Sequence, residues 1–319
     1  YSNSTAGVVV DLSSGTASWV GTLGQAQIGN DILINIQAVK GSLGSDTLTG
    51  GVNDDILSGG AGNDKIDGGA GSNFADYSNS TAGVVVNLSS GSASGIGTAG
   101  LAETGNDTLI NIQNVTGGTG NDKIIAGVNS GIFDGGAGSN TLSLEAVNTS
   151  VSIDLSNGTV SSSPLLKSAS LFAAMPSSSQ YATASAASPS FTDTIKNISN
   201  FIGTSGSDNF KATSGTYSFQ GGAGNDTIDG GQSITTAIYS GNYANYKIVY
   251  ADKTFTIQDL RSGATDGIDT LKNVTTAQFL DKKMTLASLI PPATPMLLQG
   301  TTASTAKILT VSGIETGGS

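Results

Sequence analysis

Neither cysteine nor histidine occurs among the 319 residues. Without thiols there are no disulfides, no thiolate metal sites and no cysteine nucleophile. Without imidazole the commonest general base and the usual zinc ligand are gone, so serine-triad and zinc-hydrolase chemistry has little to stand on. Basic residues are scarce: Lys plus Arg number 13 against 24 Asp plus Glu, a net charge of −11, and Arg261 is the single arginine. That balance argues against nucleic acid or an anionic membrane as partner and suits a chain that collects cations. Aromatic residues are only 6 % of a chain that is 37 % hydrophobic, which implies a core of Val, Ile and Leu. No apolar run is long enough to span a membrane as a helix, and no signal-peptide pattern opens the sequence. Its first residue is Tyr, so it is expected to be a piece of a longer chain whose N-terminal address was lost.

What is abundant is glycine, 45 residues of it, and repetition. YSNSTAGVVVDLSS at 1–14 returns as YSNSTAGVVVNLSS at 77–90, and GNDILINIQAVKGSLGSDTLTGGVN at 29–53 returns as GNDTLINIQNVTGGTGNDKIIAGVN at 105–129. Both pairs share an offset of 76. A third, degraded copy starts near LEAVNTSVSIDLSNG (144–158) and resumes at TDTIKNISNFIGTSGSDNF (192–210). A fourth keeps only DGIDTLKNVTTAQFL (266–280).

Inside each copy runs a shorter period of nine. GSLGSDTLT, GGVNDDILS, GGAGNDKID and GGAGSNFAD fill 41–76. GGTGNDKII, AGVNSGIFD and GGAGSNTLS fill 117–143, and GTSGSDNFK, ATSGTYSFQ, GGAGNDTID and GGQSITTAI fill 203–238. Position eight is apolar in all eleven: Leu48, Leu57, Ile66, Ala75, Ile124, Phe133, Leu142, Phe210, Phe219, Ile228 and Ala237. Position six is Asp or Asn in eight: Asp46, Asp55, Asp64, Asn73, Asp122, Asn140, Asp208 and Asp226. A glycine-rich linker has no reason to keep an apolar residue in such a register.

This nonapeptide resembles the GGxGxDxUx repeat of RTX (hemolysin-type) calcium-binding proteins, and GGAGNDKID and GGAGNDTID match it at every fixed position. The resemblance implies an all-β fold, a right-handed parallel β-roll or β-solenoid built of nonapeptide coils, and Ca²⁺ as the bound ion. Physically, the first six residues of each nonad turn and the last three form a short strand with position eight in the core. Two nonads close one coil, so residues 18 apart stack. Calcium takes roughly six to eight oxygen ligands, carboxylates and backbone carbonyls among them. Gly60, Gly62, Gly222 and Gly224 allow carbonyls to converge, and Asp from two stacked turns completes the cage. Asp46 with Asp64 and Asp208 with Asp226 are expected to make the strongest sites. Asp55 with Asn73 and Asp122 with Asn140 have one charge fewer, and Gly131 and Tyr217 interrupt the opposite edge. The competing reading is that these Asp and Asn merely cap turns.

The organisation expected is a roll copy at 1–76, a second at 77–143, and a third at 144–238 carrying a Ser/Ala/Pro-rich insertion at 161–190. A C-terminal antiparallel β cap follows at 239–290, then a linker and tail at 291–319. The insertion is expected to project as a loop with one short helix near 165–174. Asn35, Asn111, Asn197 and Asn273 recur after Asp31, Asp107, Asp193 and Asp269, and are expected to bond turn to turn as a ladder. In the cap, 245–260 reads as two strands around an Ala-Asp-Lys turn. The tail does not clearly match an RTX secretion signal, and AKILTVSG within it could pair with a neighbouring molecule.

The function expected from this pattern is that of a secreted bacterial calcium-binding structural protein: a surface-layer, filament, matrix or adhesin component. Partners would be calcium ions and either copies of itself or a cell surface, with no nucleic acid and no membrane span. The alternative is the C-terminal RTX portion of a type I-secreted enzyme such as a protease, lipase or polysaccharide-modifying enzyme. No HExxH is present, and no G-x-S-x-G with triad partners; the expectation is a non-enzyme.

Overall fold

The computed structural model describes residues 1–20, 29–162, 190–263 and 265–291. Residues 1–289 form one unit and 290–319 a second, of which only Ile290 and Pro291 are among the described residues. The helix expected near 165–174, the bulk of the insertion and the tail strand lie outside the described residues.

The last three residues of a nonad form a strand, as at Thr47–Thr49 (β5), Ile56–Ser58 (β6), Lys65–Asp67 (β7) and Phe74–Asp76 (β8). Three residues cannot hold a strand by themselves, so each depends on parallel partners from the coils above and below. Leu48 pairs with Ile66, Leu57 with Ala75, Ile124 with Leu142, and Phe210 with Ile228. Successive nonads alternate between two sheets, of 15 and 13 strands, so every second nonad stacks in the same sheet. Position eight points between the sheets, and none of its eleven side chains is more than 1 % exposed. The core is more aromatic than composition suggested: Phe133, Phe201, Phe210 and Phe219 are among its largest fully buried side chains. Phe219 stacks on Phe201 with ring centroids 5.4 Å apart and tilts against Phe210 at 5.1 Å.

The segments between nonad blocks are three-stranded antiparallel meanders spliced into the same sheets. The first comprises β1 (Val8–Asp11), β2 (Thr16–Trp19) and β3 (Asp31–Ile32). The second comprises β9 (Val84–Asn87), β10 (Ser92–Gly95) and β11 (Asn106–Ile110), with a seven-residue helix, α1 (Gly97–Glu103), before the last strand. The third comprises β16 (Val151–Asp154), β17 (Thr159–Ser162) and β18 (Thr192–Lys196). The first strand of each lies parallel to the nonad block that follows, as β1 to β5 and β9 to Lys123–Ile125. The third strand lies parallel to the block before, as β11 to β7 and β18 to Ile132–Asp134.

The fourth unit is fuller than its sequence suggests. Beyond 266–280 it includes the whole meander, β24 (Tyr246–Ala251), β25 (Thr254–Asp259) and β26 (Ile268–Lys272), with β26 parallel to Thr227–Asp229. The turn at Asp252 and Lys253 takes φ of +49° and +64°, as a two-residue hairpin requires. Arg261 lies inside this unit. Its Nε donates to Asp259 Oδ1 at 2.9 Å and its Nη2 to Asp259 Oδ2 at 2.6 Å, and it reaches Tyr246 and Asp266.

Each meander turns into the next coil through one residue at the same place: Asn35, Asn111, Asn197 and Asn273, with φ between +53° and +55°. Asparagine tolerates this left-handed conformation better than other side chains. Three of the four also form the expected rungs: Asn111, Asn197 and Asn273 donate through Nδ2 to Asp67, Asp134 and Asp229 at 2.7–2.8 Å.

Candidate metal centre

The eight position-six Asp and Asn residues are buried at the edge of the roll, and in the second coil of each pair the side chain accepts the backbone N–H of the same position one coil earlier. Asp46 N–H donates to Asp64 Oδ1 at 2.8 Å, Asp55 to Asn73 Oδ1 at 2.9 Å, Asp122 to Asn140 Oδ1 at 2.9 Å, and Asp208 to Asp226 Oδ1 at 2.8 Å. The four expected pairs are therefore brought together. The columns run on into the meanders, where Asp64 N–H donates to Asp107 Oδ1 and Asp226 N–H to Asp269 Oδ1, both at 2.9 Å.

The paired residues differ in what remains for a cation. In the first coil of each block the carboxylate is closed by the fold's own donors. Asp46 accepts from Val8 N–H, Ser42 N–H and Ser42 Oγ at 2.6–2.7 Å, and Asp208 accepts from Val151 N–H, Thr204 N–H and Thr204 Oγ1 at 2.6–2.9 Å. Asp122 accepts from Val84 and Gly118, and Asp55 Oδ2 from Gly51. In the second coil the position-two glycine is flipped: Gly60 has φ of +101° and Gly222 of +98°. Asp64 Oδ2 and Asp226 Oδ2 are left buried with no hydrogen-bond partner.

Asn73 and Asn140 occupy the equivalent second-coil place behind Gly69 and Gly136, whose φ values are +70° and +69°. Here the side-chain amide does what a cation would do for carbonyl oxygens. Asn73 Nδ2 donates to the carbonyls of Ala70 and Asn111 at 3.0 and 3.2 Å, and Asn140 Nδ2 to those of Ala137 and Asn197, both at 3.0 Å. These two turns carry no unsatisfied side-chain oxygen, whereas those of Asp64 and Asp226 do.

The glycines explain how the cradle forms. A Cβ on Gly59 or Gly221 would collide with Asp64 Oδ2 or Asp226 Oδ2. A Cβ on Gly60 or Gly222 would strike the Ser42 or Thr204 carbonyl, and one on Gly62 or Gly224 would stand 2.7 or 2.6 Å from the Gly44 or Gly206 carbonyl oxygen or carbon atoms. Among the described residues no three acidic side chains gather at one point. An ion here would draw on one or two carboxylates and otherwise on backbone carbonyls. That all-oxygen donor set fits calcium, a hard cation with flexible coordination. Asp64 and Asp226 would hold it with their free oxygens, backed by the carbonyls crowded against Gly60, Gly62, Gly222 and Gly224.

Electrostatics point the same way. Burial, with Asp107 and Asp46 as like-charged neighbours, pushes the Asp64 carboxyl up to about 8. Burial, with Asp208 and Asp266 nearby, pushes Asp226 up to about 7. Asp46, Asp122 and Asp208 are also raised by burial, against the hydrogen bonds that lower them. A bound dication reverses this, because an adjacent opposite charge favours the ionised form.

Sequence reasoning gave the meander aspartates no metal role, and the structure gives two of them a tyrosine partner and places a third tyrosine nearby without a hydrogen bond. Tyr1 and Tyr77 donate to Asp31 Oδ2 and Asp107 Oδ2 at 2.9 and 3.0 Å, and buried Tyr239 adjoins Asp269. The signal was legible as a tyrosine 30 residues before each aspartate, within the repeat. In the third unit Leu144 takes the tyrosine's place: its N–H bonds to Ile202 as Tyr77 N–H bonds to Thr116. Asp193 Oδ2 is buried with no partner, and burial pushes the Asp193 carboxyl up to about 7. Leaving a buried polar group unsatisfied costs about 1–3 kcal/mol. Asp193→Asn is therefore expected to raise Tm by a few degrees at pH 8, and Asp107→Asn to leave it unchanged or lower it. Equal losses in both variants would remove the distinction.

A second residue that sequence reasoning passed over is Glu103, at the end of α1. It accepts from the backbone N–H groups of Thr81 and Ala82 at 2.6 and 3.0 Å and from the Ser80 and Thr81 hydroxyls, fixing the loop that leads into β9. Those bonds hold its carboxyl down to about 2.

Compared with known families, the chain matches the model of the RTX calcium-binding nonapeptide repeat (4 copies) at residues 40–75, 112–142 and 202–234. These stretches contain all eight position-six Asp and Asn residues named above. A search of curated proteins gave no match.

Proposed function

Since the chain carries RTX calcium-binding nonapeptide repeats, we propose that it is a secreted bacterial structural protein, a component of a surface layer, extracellular filament, matrix or adhesin, and not an enzyme. One observation supports this most: every strand among the described residues belongs to the two sheets of the roll, so the framework is itself the bulk of the chain. No helix among the described residues is long and apolar enough to cross a membrane.

The working principle follows from charge. A chain of net charge −11 that buries Asp64 and Asp226 with unpaired oxygens closes reluctantly where calcium is scarce. At extracellular calcium the ion neutralises these turns, and binding free energy becomes folding free energy. Folding is thereby deferred until after export, and the exported roll is rigid.

Far-UV circular dichroism during a calcium titration, with magnesium as control and light scattering in parallel, tests the reading. A cooperative gain of β-signal with calcium alone is expected. A simultaneous rise in scattering supports assembly into a layer or filament. A complete sheet in excess chelator, unmoved by calcium, would reduce the Asp columns to turn caps.

A further inference from the structure

We propose that the end of the roll formed by β3 and by β4 (Ala38–Lys40) is a docking face for one more coil of two GGxGxDxUx nonads, entering through Tyr1. β3 ends the 15-stranded sheet and β4 ends the 13-stranded one. Among the described residues no strand pairs with the outer edge of either.

The identity of the occupant comes from the chain's own repetition. Residues 29–39, GNDILINIQAV, recur as GNDTLINIQNV at 105–115, and there the same surface is covered by the coil 59–76. Leu109 pairs with Ile66 and Val115 with Ala75. Thr108 N–H donates to the Asp64 carbonyl, Gly68 N–H to the Ile110 carbonyl, both at 2.8 Å, and Asn73 N–H to Gln113 Oε1 at 2.9 Å. In the first unit the corresponding groups, Ile32 N–H, the Ile34 carbonyl and Gln37, have no such coil opposite them.

Burial measures the difference. Leu33 is only partly buried, whereas Leu109, Ile195 and Leu271 at its place in the other units are 5 %, 6 % and 0 % exposed. Ile36 is 41 % exposed, against 7 % and 8 % for Ile198 and Val274. Ile32 and Ile34 stand out at 83 % and 73 %. An apolar ladder edge of this kind adheres to whatever strand fits it.

The direction of entry is set as well. Nonad 68–76 runs straight into Tyr77, whose N–H donates to the Thr116 carbonyl at 2.8 Å. Tyr1 nitrogen already donates to the Lys40 carbonyl at 2.8 Å, the matching bond. A coil joined to Tyr1 therefore arrives over β3 and β4 in register. A second folded copy has no bare nonad to offer, because its blocks are covered at both ends by their own neighbouring strands.

The test grafts residues 59–76 directly ahead of Tyr1 of the full chain. A control graft has serine at both position-eight sites. Both are studied in saturating calcium by hydrogen exchange, hydrophobic-dye binding and calorimetry. The true graft is expected to slow exchange at the Ile32 amide, to lower dye binding and to raise Tm, and the control to do none of these. Exchange and Tm equal to the control would overturn the proposal. So would an Ile32 amide already protected in the ungrafted chain, whether at all dilutions, when its own residues cover the face, or only at high concentration, when a second copy does.

Discussion

The double variant Asp64→Asn, Asp226→Asn is expected to be more stable than the parent in chelator at pH 8 and to gain far less from calcium. The chain itself supplies the precedent. Asn73 and Asn140, behind the same flipped glycine, donate to carbonyls that would otherwise face a buried oxygen. Replacing the orphaned Asp64 Oδ2 and Asp226 Oδ2 by N–H donors removes two buried charges and satisfies both turns without an ion. The same exchange removes the carboxylates a cation needs. At about 1000 times its dissociation constant each independent site contributes about 4 kcal/mol, so losing two forfeits roughly 8 kcal/mol of calcium-dependent stability. Calorimetry with chelator and with millimolar calcium reads both effects. Asp64→Ala with Asp226→Ala is the control: alanine removes the charge but donates nothing, so its gain in chelator should be smaller. A double asparagine variant whose calcium-induced Tm shift equals the parent's would place the ions elsewhere.

The second large effect is a pH dependence that reverses with calcium. Without the ion, the folded state holds the Asp64 and Asp269 carboxyls up to about 8 and those of Asp107, Asp193 and Asp226 up to about 7, chiefly by burial. An acid raised on folding binds its proton more tightly in the native state. Its contribution is fully present below the unfolded value near 3.8 and is lost as pH rises through about 7–8. Asp259, held down to about 2 by Arg261, works in the opposite sense, its contribution being present above about 4 and lost towards 2. The calcium-free protein should therefore be most stable near pH 4–5 and lose stability steadily towards pH 8. With calcium present the ionised carboxylates are the ones bound, so affinity rises over the same range and binding releases protons. Thermal melts at pH 5 and pH 8, each with calcium and with chelator, should give opposite slopes. Parallel slopes would show that these carboxyls do not control folding.

Much of this architecture is legible in the sequence. Register alone put eleven residues in the core, and all eleven are buried there. The period of nine works because a turn of six residues and a strand of three return the chain to the same edge every second nonad. Local chemistry and stacking then say the same thing. The repeating asparagines at 35, 111, 197 and 273 were visible as well, but their reason is backbone geometry, a φ near +54° at the corner of each unit. The meanders were harder to read, since antiparallel partners such as β10 and β17 bear little periodicity and are identified by what they pair with. The same holds for the fourth unit, whose first two strands share the topology of the others but not their residues.

What sequence determined by itself is the roll, the identity of the ion and the residues that line its columns, because each is a one-dimensional pattern of residue types. What only tertiary structure decided is which of those residues still need an ion. Asp46 and Asp64 have the same type and the same place in the repeat. Yet Asp46 lies in the first coil of its block, where Val8 N–H and the Ser42 N–H close it, and Asp64 lies in the second, where a flipped Gly60 leaves one oxygen bare. That difference comes from what is stacked above and below, and hydrogen-bond satisfaction is a property of the stack.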